Sequence, residues 1–523
     1  MTGTLRLLRF MLRRERRGLP WWLAGVTVLL LSQSGQSQSL YGTPEKLATM
    51  RRTIGGNTAA IAMNGPTRLL DSIGGEVMFE VFGFIAIVVA LMNMFLVGRQ
   101  TRGDEETGRS ELIRSTPVGR RAPLAAALSL AALTNLVAGL LVFAAAAGTG
   151  LPIGGSLLAG AAVVTVGLTF AAFTAVAAQL FENVRAVYGA VGFLLGTAYV
   201  LRAAGDVGNG SLSWLSPIGW GQRTYPYAGD RWWPLLLPLL ATTLLVAAAV
   251  GLLERRDFGA GLVRTRLGPA TASRALGNVF GLAWRLQRGA LIGWVAGLAL
   301  LGAAYGSIGN TIEQYVRDNP EIAQFLPPGS ILDSYLALTV GLAALIAAAY
   351  GVTCVLRLRT EETSGHAESI LATATGRLTW LAGHLSVALG GTALALLAIG
   401  VGEGSAYALT VADPGQVPRL IGVAFAYLPA VWLVAAVAVL AVGWLPRAAA
   451  AAAWLAVAYC VVIALFADSF DLPGWVQRAS PFAQTPRVPL EALAVTPLLV
   501  IVAVATVLVA TGYAGLRRRD VGY

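Results

Sequence analysis

The sequence is poor in charge and nearly empty of lysine, histidine and cysteine. Only 12% of its 523 residues are charged and 56% are hydrophobic, at a mean hydropathy of +0.68. Soluble chains carry about 25% charge. That deficit excludes a soluble enzyme, which could not hide so much apolar surface, and a disordered chain, which would not contain it. Of the 38 cations only Lys46 is lysine. A phosphate-binding loop of the form G-x-x-x-x-G-K-[ST] uses lysine to reach the phosphates. Lys46 instead follows Pro44-Glu45, so the chain has no such loop. Two histidines, His366 and His384, are too few or too badly placed for a zinc site or a Ser-His-Asp set. Cys354 and Cys460 lie in separate apolar segments and read as small buried residues rather than a disulfide.

What the sequence does have is apolar length. Runs of about 20 uncharged residues can each cross a bilayer. They predict twelve spans, at 19–38, 78–97, 123–147, 155–180, 187–203, 232–253, 289–308, 334–356, 379–400, 419–443, 448–467 and 494–514. Gly148-Thr149-Gly150-Leu151-Pro152 and Leu445-Pro446-Arg447 break runs that would otherwise merge. The run after the N-terminal arginines has no convincing small-residue cleavage site and is expected to remain as an anchor. With both termini in the cytoplasm, the inside segments hold 27 of the 38 cations and 12 of the 27 acids. Cations are thus retained inside, as in a bacterial plasma-membrane protein, and the net +11 reports orientation rather than nucleic-acid binding. Segments 41–77, 204–231, 309–333 and 468–493 are expected to be short amphipathic caps outside.

Residues 1–260 and 261–523 share one layout: a basic amphipathic segment, two spans, a charged loop, then four spans. Both start inside, so the expected repeat is parallel. Arg17-Gly18 with Trp22 matches Arg288-Gly289 with Trp294, and Ser216-Pro217 matches Ser480-Pro481. The strongest match is the loop after the second span, 98–121 in one half and 357–378 in the other. RGDEETGRSELIRSTPVGR (102–120) faces RTEETSGHAESILATATGR (359–377). Pairing Glu105-Glu106-Thr107 with Glu361-Glu362-Thr363 makes Ser364 an insertion. Gly108, Glu111, Gly119 and Arg120 then pair with Gly365, Glu368, Gly376 and Arg377. A loop that only fixes topology explains the arginines. It does not explain acids recurring in register, so these loops are the candidate functional surface. The basic segments 2–17 and 272–288 carry Arg6, Arg9 and Arg13, and Arg274 and Arg285, beside apolar stripes (Leu5, Leu8, Leu12 in the first). They are predicted to be elbow helices lying in the cytoplasmic interface.

Ion-driven carriers bury carboxylates near the bilayer midplane. Here Glu80, Glu182, Asp333, Glu403 and Asp468 fall at predicted span ends or in loops, which weakens that alternative. The small-residue pairs Gly192/Gly196 and Gly302/Gly306 read as packing contacts between helices.

Elbow segments, six spans and a charged loop between spans two and three, all repeated, resemble the permease subunit of a type-2 ABC exporter. The Glu-Glu-Thr-Gly…Glu…Gly-Arg loop and Leu215-Ser216-Pro217-Ile218-Gly219-Trp220 resemble the duplicated twelve-helix polyketide-antibiotic exporter permeases of actinobacteria. The resemblance implies an all-α polytopic membrane protein of about twelve helices in two parallel six-helix repeats. It implies a non-catalytic permease with no cofactor of its own, coupled to a separate ABC ATPase subunit, two copies per chain, which holds ATP and Mg. The cargo would be a hydrophobic drug-like or lipid-like compound. Glu105, Glu106, Gly108, Glu111, Gly119, Arg120, Glu361, Glu362, Gly365, Glu368, Gly376 and Arg377 would form two coupling helices. Glu182, Arg185 and Arg447 would add minor contacts. The alternative is an ion-driven secondary efflux carrier.

Overall fold

In a bilayer the backbone must satisfy its own hydrogen bonds, and an apolar segment does so as a helix. The computed structural model describes residues 2–55, 58–263, 270–318, 330–466 and 473–520. Asp468 and parts of three expected caps lie outside these residues. The described secondary structure is helical throughout, and the chain forms two compact units, Met1–Gly268 and Pro269–Tyr523.

The first unit contains α1 (Thr4–Glu15), α2 (Leu19–Tyr41), α3 (Ile73–Gly98), α4 (Ala122–Gly148), α5 (Ile153–Leu180), α6 (Val184–Val207) and α7 (Leu236–Arg255). Its core is α3 against α5, with Phe79, Phe82, Val163 and Phe170 almost fully buried. Small residues bring α4 and α5 together: a Cβ on Gly160 would stand 2.5 Å from the Gly139 carbonyl oxygen. A polar lock crosses this apolar packing. Asn93 on α3 and Asn135 on α4 donate amide hydrogens to each other at 2.9 and 2.8 Å.

The second unit contains α8 (Val279–Asp318), α9 (Ser330–Thr363), α10 (Arg377–Val411), α11 (Gln416–Ala426), α12 (Leu428–Trp444), α13 (Ala449–Phe466) and α14 (Val495–Arg518). Close packing again depends on glycine. Gly302 and Gly306 of α8 lie against the α10 backbone at Ile399 and Glu403, whereas Gly192 and Gly196 of α6 meet nothing within 4 Å. Gly443 of α12 and Gly512 of α14 put two backbones in direct contact. The breaks at 149–152 and 445–448 fall where the sequence placed them.

Several expectations are corrected. Among the described residues ten helices, not twelve, are long and apolar enough to cross a membrane. The other two predicted spans are helical too, but α2 turns polar after Leu31 and α13 has only 18 residues. In α1 the buried stripe is Leu7 and Met11, while Leu5 is exposed, because the helix packs on α4 as well as facing outward. The second elbow is not a separate helix: α8 runs unbroken for 40 residues from Val279, since Gly289 alone does not end a helix and no proline follows Arg288 as Pro20 follows Arg17. Likewise α10 continues for 35 residues to Val411. Glu403 therefore lies inside a helix and fully buried, with Thr339 Oγ1 donating to it at 2.7 Å.

Candidate functional site

Each charged loop grows out of a core helix. In the first unit α3 widens into one π turn at Arg99–Gly103 and continues through Asp104–Glu106. In the second, α9 reaches Thr363 in a single helix. Both then turn at a left-handed glycine, Gly108 (φ 73°) and Gly365 (φ 76°), a conformation costly to residues with a Cβ. A short helix follows in each, Arg109–Arg114 and His366–Leu371. The two glycines donate to matching carbonyls, Glu105 and Glu362, at 3.1 and 3.0 Å.

These contacts fix a register without an insertion. Glu105 occupies the place of Glu362 and Asp104 that of Glu361, while Ser364 stands opposite Thr107 rather than being added. The side chains agree. Arg102 donates to Glu105 at 2.8 Å, three residues on, and Arg359 donates to Glu362 at 2.9 Å. From the end of the last helix, Arg256 donates to Glu105 at 2.5 and 2.9 Å, and Arg519 to Glu362 at 2.6 Å. Each unit thus contains an Arg–Glu–Arg clamp tying the loop to the chain just beyond its sixth long helix.

A second repeated tie lies beside the first. The final turn of a helix leaves carbonyls without intrahelical partners. Arg120 donates to the carbonyls of Leu253 and Arg256 at 3.0 and 2.7 Å, capping α7. Arg377 donates to those of Leu516, Arg517 and Arg519 at 2.9, 3.0 and 2.6 Å, capping α14. A cation at a helix C-terminus also opposes the negative end of the helix dipole.

The expected docking acids consequently divide. Glu105, Glu361 and Glu362 do not face outward as free anions. Glu362 is enclosed by its two arginines, and Glu361 pairs with Arg357 at 2.7 Å. Glu106 is exposed, and its carboxylate accepts the backbone N–H of Val184 at 3.1 Å, at the start of α6. Glu111 and Glu368 are exposed on the two short helices. Gly119 donates to the Thr2 carbonyl at 3.1 Å, and Gly376 precedes α10. Arg185 and Arg447 are exposed, and Glu182 is half-buried, in the turns before α6 and α13. Arg6, Arg9, Arg13, Arg274 and Arg285 are exposed.

The sequence reading missed most of the residues that hold the loops. Arg102 and Arg359 open the two matched loops and could have been read as partners of the acids three positions on. Arg256 and Arg519 could not, because nothing in the linear order marks them as neighbours of a loop 151 and 157 residues away. Asp104 was passed over as well. It accepts from Arg14 at 2.9 and 3.0 Å, and Glu15 pairs with Arg99 and Gln100, so the end of α1 is fastened to the same loop. What stays exposed on the first short helix is Leu112, at 75%, with Arg109 and Glu111 beside it. In the second unit Ser369 and His366 take the places of Leu112 and Arg109.

The family model "Multidrug efflux system permease Rv1217c, C-terminal domain" matches residues 6–253 and residues 276–517, one segment in each unit. The chain is 39% identical over 526 aligned residues to the multidrug efflux system permease protein Rv1217c of Mycobacterium tuberculosis (strain ATCC 25618 / H37Rv). The alignment covers 99% of this chain and 95% of that protein. The chain therefore belongs to the Rv1217c family of multidrug efflux system permeases.

Proposed function

We propose that this permease is the membrane subunit of an ATP-driven ABC exporter. In this reading a separate ATPase docks on the two short helices, Arg109–Arg114 and His366–Leu371, one ATPase copy on each. ATP and Mg belong to that partner. Twelve segments cross the bacterial plasma membrane, α2 and α13 included, with both termini and both loops in the cytoplasm. The cargo is hydrophobic, because the spans are. The observation that carries the reading is the repeated Arg–Glu–Arg clamp. It makes each loop a rigid extension of two helices, so a push on the loop displaces α3 with α7, or α9 with α14, as bodies. Exposed Leu112 supplies apolar area whose burial under a partner would be favourable.

The test is copurification with a candidate ABC ATPase subunit. Leu112→Asp, which alters one of the two docking helices, should lower the recovered ATPase by about half or more, or leave an ATPase whose activity no longer responds to cargo. Retention of both would overturn the docking assignment. The ion-driven alternative draws on Glu76 and Glu403, both buried inside helices. It requires efflux that persists without ATP and collapses with an uncoupler.

A further inference from the structure

The two units close their ends far from the charged loops differently, although the same Ser-Pro pair starts both closures. In the first unit Ser216 Oγ accepts the N–H of Gly219 at 3.2 Å and caps a helical turn, Pro217–Gln222. That turn fills its site. Ile218 is fully buried, a Cβ on Gly221 would meet Phe82 and Val166, and the Gln222 amide reaches the Asn64 carbonyl at 2.6 Å. In the second unit Ser480 is equally buried, but residues 481–485 form only turns. Among the described residues no helix plugs the gap, and a cavity of about 310 Å³ remains.

Leu338 and Leu342 of α9, Ile463 of α13 and Phe482 give this cavity an apolar body. Gln477, Ser480 and Arg487 give it a polar end. Among the described residues no carboxylate lines it. The nearby Glu491 is occupied with the Arg487 backbone N–H at 3.2 Å, and the Arg487 guanidinium forms no ion pair among the described residues. Among those residues Ser480 Oγ meets no nitrogen or oxygen partner. An apolar pocket with a few convergent polar groups, from about 300 Å³ upward, suits a drug-sized molecule. It is small for a two-chain lipid.

We propose that this cavity binds a drug-sized amphiphile with an anionic head group, its body between α9 and α13 and its head on Arg487. The proposal rests on the exporter reading and names a class of cargo for it. Anilinonaphthalene sulfonate is a suitable probe, with uncharged N-phenylnaphthylamine as its twin. Saturable binding would be measured by fluorescence on the full chain in phosphatidylcholine nanodiscs, against empty discs. Arg487→Gln should weaken the sulfonate about tenfold, as loss of one charge-assisted hydrogen bond does, and leave the uncharged twin unchanged. Arg487→Lys should restore most of the sulfonate affinity. Ala483→Trp, filling the cavity from its exposed edge, should remove both probes. Because neither ATPase nor transport enters this assay, its failure is separate from failure of the docking test. Equal loss of both probes in Arg487→Gln, unchanged binding in Ala483→Trp, or displacement of the sulfonate by phosphatidylglycerol in the disc (a lipid-headgroup site) would each overturn the proposal.

Discussion

A carboxylate taken out of water is held in place by its partners, and each charged loop contains both kinds of acid. Glu362 is enclosed between Arg359 and Arg519, while Glu111 stands in solvent. Removing one member of a buried pair leaves the other charge uncompensated, at about 3–5 kcal/mol. Glu362→Ala should therefore lower the thermal midpoint of the purified chain clearly. Glu111→Ala should change stability by less than about 0.5 kcal/mol, as exposed substitutions do. If the docking assignment holds, Glu111→Ala still weakens ATPase copurification. The glycines beside these acids act through the backbone. A Cβ on Gly108 or Gly365 would touch nothing within 4 Å, so Gly108→Ala and Gly365→Ala isolate the cost of the left-handed conformation. Each should destabilise by about 1–2 kcal/mol, read as a shift in the same midpoint, without loss of any side-chain contact.

At the level of helices, the sequence was legible where the signal was apolar length and opaque where it was a tertiary tie. Ten of the predicted spans coincide with long apolar helices, because length and hydropathy are properties of a window. Helix ends were harder. Glu403 was placed beyond a span that in fact continues to Val411, since Gly400-Val401-Gly402-Glu403 looks like a boundary but packs tightly between α8 and α11. The loop register was misread because Glu-Glu-Thr recurs in both halves one position out of step with the geometry, and only the arginine partners settle it. The Asn93–Asn135 lock was invisible as well, since two asparagines 42 positions apart announce nothing. Hydrogen bonds between membrane helices are worth about 1–2 kcal/mol at most. Asn93→Leu and Asn135→Leu should each cost that much or more, because each orphans the other amide. The double variant should cost less than their sum. A double-mutant cycle on thermal stability checks this, and strict additivity would show that the amides do not interact.

For the whole chain, the duplicated architecture makes a prediction about sidedness that separates twelve spans from ten. Both charged loops follow the second long apolar segment of a matched half, and both carry the same clamp, so they should face the same compartment. Cys354 and Cys460 are buried, which leaves little background for an impermeant maleimide. Leu112→Cys, Ser369→Cys and Arg447→Cys should label in inside-out vesicles and not in intact cells. Glu45→Cys and Trp475→Cys, beyond α2 and α13, should label in intact cells if those two helices cross. Their shortfall in apolar length makes them the uncertain pair on hydropathy alone: α2 carries Ser32-Gln33-Ser34 and more polar residues in its second half, and α13 has 18 residues. Yet Ser34 bonds to Thr149 and Gln38 donates to the Thr149 carbonyl beside α4, so one face of the polar half of α2 is satisfied against protein, while Ser32, Gln36 and Ser39 stay exposed. Eighteen helical residues span about 27 Å, close to a bilayer's apolar thickness of about 30 Å. Crossing is therefore physically available to both, and labelling of Trp475→Cys from the same side as Arg447→Cys would show that α13 does not use it.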